Sequence, residues 1–218
     1  MTLADIPFAN RILARAYRSG QAPVTRLEAE RTPDPFRILV ATILSARTRD
    51  ETTVKVVRRL FRTVRTADDL ARLSLREIRT LIYPVGFYAT KARHLQALPA
   101  ALQALFGGAV PKTIPELCQL PGVGRKTANL VLTAAFDKPA ICVDVHVHRL
   151  CNRWGLIETR NPLETEMTLR RLLPRRYWKR WNSYLVAYGQ TVCTPRHPRC
   201  GACALAPVCC RIGVQTPV

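Results

Sequence analysis

The chain holds only six lysines, and Lys126 follows directly on Leu120-Pro-Gly-Val-Gly-Arg125. An amine attacks carbon only when its lone pair is available. The start of a helix and the adjacent guanidinium both disfavour the charged form there. The plainer reading of Lys126 is a point charge held against a phosphate. Asp144, the sole acid between Asp137 and Glu158, lies in an apolar run. A carboxylate in such surroundings must be capped, paired or functional, because isolation there is costly. Five of the eight cysteines crowd into 18 residues as Cys193-x6-Cys200-x2-Cys203-x5-Cys209, with Cys210 adjacent. No secretory signal precedes them, so clustered thiols point to metal rather than to disulfides. Four thiolates suit structural zinc or a [4Fe–4S] cluster, and the spacing leaves both open. Cys118, Cys142 and Cys151 have apolar neighbours and read as small core residues. His146 and His148 have no third metal ligand in view.

These residues need helices to position them. Asp34-Pro35 is an N-cap with proline in the first turn, ahead of Phe36, Leu39, Val40, Ile43 and Leu44 at helical spacing. Val54, Val57, Phe61 and Val64 continue the pattern one helix later, and Leu95, Leu98, Leu102 and Leu105 mark another that stops at Gly107-Gly108. Ser74 with Glu77, Thr113 with Glu116 and Asn161 with Glu164 each form a capping pair that opens a helix. Trp178, Trp181, Leu185 and Tyr188 mark a late helix. Only the alternation of Ile141, Val143, Val145 and Val147 has the period of a strand. Asp144, as the N-cap of a helix running into Arg149, would interrupt it. The chain reads as all-α, with many short helices.

Leu120–Gly124 separates two helical patterns, 113–119 and 125–136. The second puts Ala128, Val131, Leu132 and Ala135 on one face and Lys126, Asn129 and Thr133 on roughly the opposite one. Two glycines in a tight turn leave backbone that a phosphate can approach. The N–H groups opening the next helix point at that phosphate, and the helix dipole favours its charge. Such a helix-hairpin-helix grips the DNA backbone without reading sequence. Residues 81–88, containing Val85-Gly86, are a weaker echo of the same turn.

Across the 218 residues, 34 are Lys or Arg and 15 are Asp or Glu, a formal net charge of +19. That excess calls for a polyanionic partner, with nucleic acid ahead of an anionic membrane surface. At 48% hydrophobic and 22% charged, the composition is that of a folded protein and excludes a disordered basic tail. No apolar run approaches a bilayer-spanning length.

Together, Leu120-Pro-Gly-Val-Gly-Arg-Lys126-Thr-Ala-Asn129, Val143-Asp144-Val-His146 and the four-cysteine spacing resemble endonuclease III of the helix-hairpin-helix DNA repair glycosylases. Leu44-Ser-Ala-Arg47 followed by Asp50, and Gly86-Phe-Tyr with Lys91-Ala92, extend the resemblance over roughly residues 30–210. It implies two α-helical domains with a DNA-binding cleft between them. One is a six-helix barrel over 28–138 containing the hairpin; the other joins 1–27 to 139–218 and carries the cluster. The resemblance also assigns a [4Fe–4S] cluster to Cys193, Cys200, Cys203 and Cys209, with Cys210 outside it. It makes Lys126 the nucleophile and Asp144 the assisting carboxylate. Gly122, Val123, Gly124, Arg47, Arg125, Arg196 and Arg199 become the DNA-binding residues. The implied activity is a bifunctional glycosylase and abasic-site lyase acting on double-stranded DNA with damaged bases or abasic sites. The implied protein is a cytoplasmic, nucleoid-associated monomer.

Two positions depart from the family pattern. Arg47 stands where glutamine is common, which bears on opposite-base preference, and Val145 stands where threonine is frequent. Two rival readings are a mismatch-type glycosylase on the same fold, which typically lacks the lysine, and a non-catalytic DNA-binding protein.

Overall fold

The computed structural model describes residues 1–29 and 32–214, and every regular element among them is helical. Twelve α-helices run in chain order: α1 (Ile6–Arg18), α2 (Pro23–Ala29), α3 (Pro35–Ser45), α4 (Asp50–Thr63), α5 (Ala67–Ala71), α6 (Leu75–Ile82), α7 (Tyr88–Phe106), α8 (Ile114–Leu117), α9 (Arg125–Phe136), α10 (Val145–Arg153), α11 (Pro162–Leu172) and α12 (Trp178–Thr191). Short 3-10 turns follow at Cys200–Ala202 and Ala206–Val208. None of the described helices is long and apolar enough to cross a membrane. The chain divides into two compact units, Arg26–Ala140 and Met1–Thr25 with Ile141–Val218.

In the unit Arg26–Ala140, α3 is buried along most of its length and packs on α4, α7 and α9. Its start is set by Asp34, whose Oδ1 accepts from the Phe36 N–H at 2.8 Å, with Pro35 in the first turn. On α4 the buried stripe is Thr53, Val56, Val57 and Leu60, continued by Val64 just after the helix; of the expected Val54, Val57, Phe61 and Val64, Val57 and Val64 are buried and the other two only half-buried. Phe61 is only half-buried, and the Arg37 guanidinium covers its ring at 4.6 Å. The longest helix, α7, buries Leu95, Leu98 and Leu102 but leaves Leu105 exposed, and it ends at Gly107 in left-handed geometry at φ 59°.

In the other unit, α12 packs on α1 and α10. Trp154 and Trp181 are fully buried at its centre, edge to face with centroids 6.4 Å apart.

The strand-like alternation at 141–147 does not form a strand. Residues 137–144 are irregular, and Val145 begins α10. The extended Asp144 takes the cap, which lets the following backbone coil and overrides the two-residue period. Cys142 and Cys151 are buried, but Cys118 is exposed and so is no core residue. It closes the four-residue α8, whose one buried side chain is Leu117.

Candidate active site

The hairpin is built from α8, a turn and α9. Thr113 opens α8, accepting from the Glu116 N–H. Leu117 and Leu120 are buried and anchor the approach to the turn. The Leu120 carbonyl accepts from the Val123 N–H at 3.1 Å. That bond closes the turn and occupies the Val123 amide. Gly122 has φ +76°, and a Cβ there would meet His94 Nδ1 at 2.7 Å, so both conformation and space require glycine. Gly124 is the N-cap of α9 and has no side chain with which to cap it. Arg125 and Lys126, in the first turn, are exposed, while Val123 is buried. Asn129 is fully buried rather than on the solvent face, its Nδ2 donating to the Arg125 carbonyl at 3.0 Å. That bond braces the turn that carries Lys126.

Asp144 caps α10 through one oxygen. Its Oδ1 accepts from the His146 N–H at 2.9 Å and the Val147 N–H at 3.0 Å. Oδ2 makes no hydrogen bond among the described residues, so the half-buried carboxylate keeps an oxygen for other work. The neighbouring histidines are engaged elsewhere. His146 Nδ1 lies 3.1 Å from Arg149 Nη2, and His148 Nδ1 lies 2.7 Å from Thr165 Oγ1. Lys126 belongs to the unit Arg26–Ala140, and Asp144 to the other.

Arg47 lies in the loop between α3 and α4 with φ +52°, a backbone that side chains other than glycine rarely adopt. Its guanidinium lies 5.5 Å from the centre of the Phe87 ring. Phe87 is itself left-handed at φ +57°, caps α7 and is 63% exposed, an unusual exposure for so large an apolar side chain. Tyr83 and Tyr88 pack edge to face beside this turn at 5.3 Å.

Of the cysteine-rich segment, Cys193 is buried while Cys200, Cys203 and Cys209 are half-buried. Charges on Cys193, Cys200 and Cys203 all act on Cys209, which places the four thiols in one neighbourhood. Burial raises Cys193 and Cys209 above the usual thiol range, and the Arg153 guanidinium beside Cys193 opposes that rise. Arg153 Nη1 approaches Cys193 Sγ at 3.4 Å and donates to the Thr194 carbonyl at 2.9 Å, and the Arg211 N–H approaches Cys209 Sγ at 3.4 Å. Such donors stabilise thiolates. Cys210 is exposed and turned elsewhere, its sulfur 3.3 Å from the Met1 amine. Among the described residues no three side chains are arranged as a closed metal-binding group. Arg196 and Arg199 are exposed in the loop between Cys193 and Cys200.

Residues 40–175 match the model of the HhH-GPD superfamily base excision DNA repair proteins. The chain is 46% identical over 176 residues to the endonuclease III of Thermotoga maritima, covering 81% of this chain and 83% of that one. A solved structure of a trapped endonuclease III–DNA covalent intermediate superposes with a TM-score of 0.86 at 34% identity, covering 97% of each chain. The chain belongs to the endonuclease III family. It is a base excision repair enzyme, a DNA glycosylase and lyase. A thermostable thymine-DNA glycosylase also shares the fold, with a TM-score of 0.76 at 25% identity over 91% of this chain and 97% of that one. Endonuclease III homolog 2 of Arabidopsis thaliana is longer: the chain spans 56% of it at 38% identity.

In this endonuclease III-family chain the hairpin, the capping aspartate and the clustered thiols are visible as motifs, whereas the exposed Phe87 beside Arg47 and the buried amine of Lys91 are not. Both sit in stretches quoted for the resemblance. Nothing in the residue types marks an exposed phenylalanine or a lysine with a buried amine; only the packing does.

Proposed function

We propose that this enzyme removes oxidised pyrimidines from duplex DNA and then cleaves the strand 3′ to the abasic site. The observation that carries the reading is an exposed lysine in the first turn of α9, directly after a glycine hairpin with no side-chain cap. The Gly122, Val123 and Gly124 turn, with Arg125, would seat a phosphate of the damaged strand, while Arg196 and Arg199 contact the duplex elsewhere. Extruding the nucleotide costs a few kcal/mol of stacking. Arg47 would enter the space it leaves and donate to the unpaired opposite base.

Lys126 Nζ then attacks C1′, and the bond from C1′ to the base breaks with the electron pair and a proton going to the base. The sugar ring opens to an imine between C1′ and Nζ. Loss of a C2′ proton expels the 3′ phosphate, and water later releases the lysine. Asp144, through the oxygen not occupied in capping, would accept the proton from the attacking amine and stabilise the developing positive charge on the sugar.

Cys193, Cys200, Cys203 and Cys209 would hold a [4Fe–4S] cluster: four thiols in one 17-residue segment within electrostatic reach of Cys209, an arginine against one sulfur and a backbone N–H on another support that reading. When bound, the cluster would tie residues 193–209 to the α10–α12 core. Alkylating the purified native protein is expected to label Cys118 and Cys210 only, as read by mass spectrometry. Cys151 stays unlabelled because burial pushes its thiol up to about 12. The protein is also expected to absorb broadly near about 400 nm. Labelling of the four clustered thiols in a colourless protein would remove the cluster.

An incision assay over thymine glycol, dihydrouracil, abasic and mismatched duplexes tests the function. The reading requires both base release and strand cleavage on the first two. Base release without cleavage, confined to mismatches, would instead support the mismatch-type reading. On this reading the enzyme acts in the cytoplasm, as a monomer on duplex DNA.

A further inference from the structure

Lys91 has no place in the steps above, yet it is the most unusual charged residue in the unit Arg26–Ala140. It is 6% exposed, and its amine sits below the loop between α3 and α4. Nζ donates to the Leu44 carbonyl at 2.7 Å, the Ala46 carbonyl at 2.5 Å and Thr48 Oγ1 at 3.0 Å. An ammonium has three donors and no acceptor, so these three alternate residues use it completely. No carboxylate pairs with it among the described residues. Burial pushes the amine down to about 8, which still leaves it mostly protonated at neutral pH.

Holding a buried ammonium on neutral acceptors is expensive compared with filling the same volume with methionine or leucine. Packing alone therefore does not account for a lysine here. What the three bonds hold is informative: they bracket Arg47. The loop is fixed from a second side as well, because Thr48 Oγ1 accepts from the Gly86 N–H at 3.0 Å. A Cβ at Gly86 would overlap the Arg47 carbonyl oxygen, so the two backbones meet where only glycine fits. The residue after Gly86 is Phe87, whose ring the Arg47 guanidinium covers.

We propose that Lys91 is a positioning residue for Arg47: its ammonium clamps the 44–48 loop against the start of α7, holding Arg47 in its left-handed backbone beside Phe87, ready to fill the space of an extruded nucleotide. The clamp itself is read from geometry, and its value to catalysis rests on the role proposed for Arg47. Preorganisation of this kind lowers the ordering cost at the moment of base extrusion.

Two measurements on the full-length protein test it. In hydrogen exchange without DNA, Lys91→Met is expected to speed exchange at residues 46–48 at least tenfold while leaving α9 unchanged. In single-turnover excision of thymine glycol from duplex DNA, the same variant is expected to lose about tenfold in rate. That loss should vanish in an Arg47→Ala background, because the clamp then has nothing to position. Thr48→Val removes one acceptor and is expected to give the same pattern at smaller amplitude, which keeps the test open if Lys91→Met does not fold. Unchanged exchange at 46–48, faster exchange throughout the unit, or losses that add in the double variant would each overturn the clamp. Parent-level excision by Arg47→Ala would overturn the role of Arg47 instead, with the exchange result still deciding whether Lys91 holds the loop.

Discussion

Replacing Lys126 with glutamine is expected to abolish borohydride trapping on abasic-site DNA and to lower strand cleavage on the order of 1000-fold or more. Borohydride reduction of the imine joining Nζ to C1′ leaves a permanent protein–DNA bond, which reduction of the free abasic aldehyde does not, so the trap reports the bond that the mechanism requires. Glutamine keeps the length and helix propensity of lysine but has no lone pair available for attack. Lys126 is exposed in the first turn of α9 and away from the core formed by Ala128, Val131 and Leu132. Its loss is therefore expected to leave thermal stability within about 0.5 kcal/mol. Binding to undamaged duplex should weaken only slightly and with a slightly smaller salt slope, as for the loss of a single cation. A variant that still traps would assign the nucleophile to another amine.

Asp144 permits a sharper separation, because its two oxygens have different duties. Oδ1 caps α10, and Oδ2 is the oxygen to which the proposed mechanism assigns the proton. Asparagine caps a helix about as well as aspartate, whereas alanine costs about 1 kcal/mol. Asp144→Asn is thus expected to melt with the parent enzyme, and Asp144→Ala about 2–4 °C lower. Both are expected to lose on the order of 100-fold in base removal, since neither accepts a proton. Full activity in the asparagine variant would reduce Asp144 to a helix cap.

Much of the architecture is legible in residue order because it rests on local chemistry. A cap bonds amides two or three residues away, so Asp34, Ser74, Thr113 and Asn161 announce the helices they open. The Gly-Val-Gly turn is local in the same sense. Local signals also mislead where two compete: the alternation at 141–147 has the period of a strand, but Asp144 needs only the amides of His146 and Val147 to start a helix turn. On α4 the apolar pattern is half right: Val57 and Val64 are buried, whereas Val54 and Phe61 lie at the edge of a stripe that Thr53, Val56 and Leu60 complete. How deeply each position sinks is set by what packs against the helix, and Arg37 of the adjoining α3 covers the half-buried Phe61 ring.

The candidate site divides along the same line. Lys126, the capping Asp144 and the clustered thiols stand out by residue type and spacing, because each motif spans fewer than twenty residues; the family resemblance supplies the roles proposed for them. The Arg47 arrangement does not stand out, because it joins residues about 40 positions apart: Lys91 to Leu44, Gly86 to Thr48 and Arg47 to Phe87. Spacing along the chain carries no information about which carbonyls a buried amine will find. The sequence by itself determined which groups are present and which helices carry them. Only the tertiary structure decided that a lysine amine is buried beneath one loop, that Asn129 faces inward and that Cys118 faces out. Burial and long-range hydrogen bonding depend on surfaces that come into being only when distant helices pack.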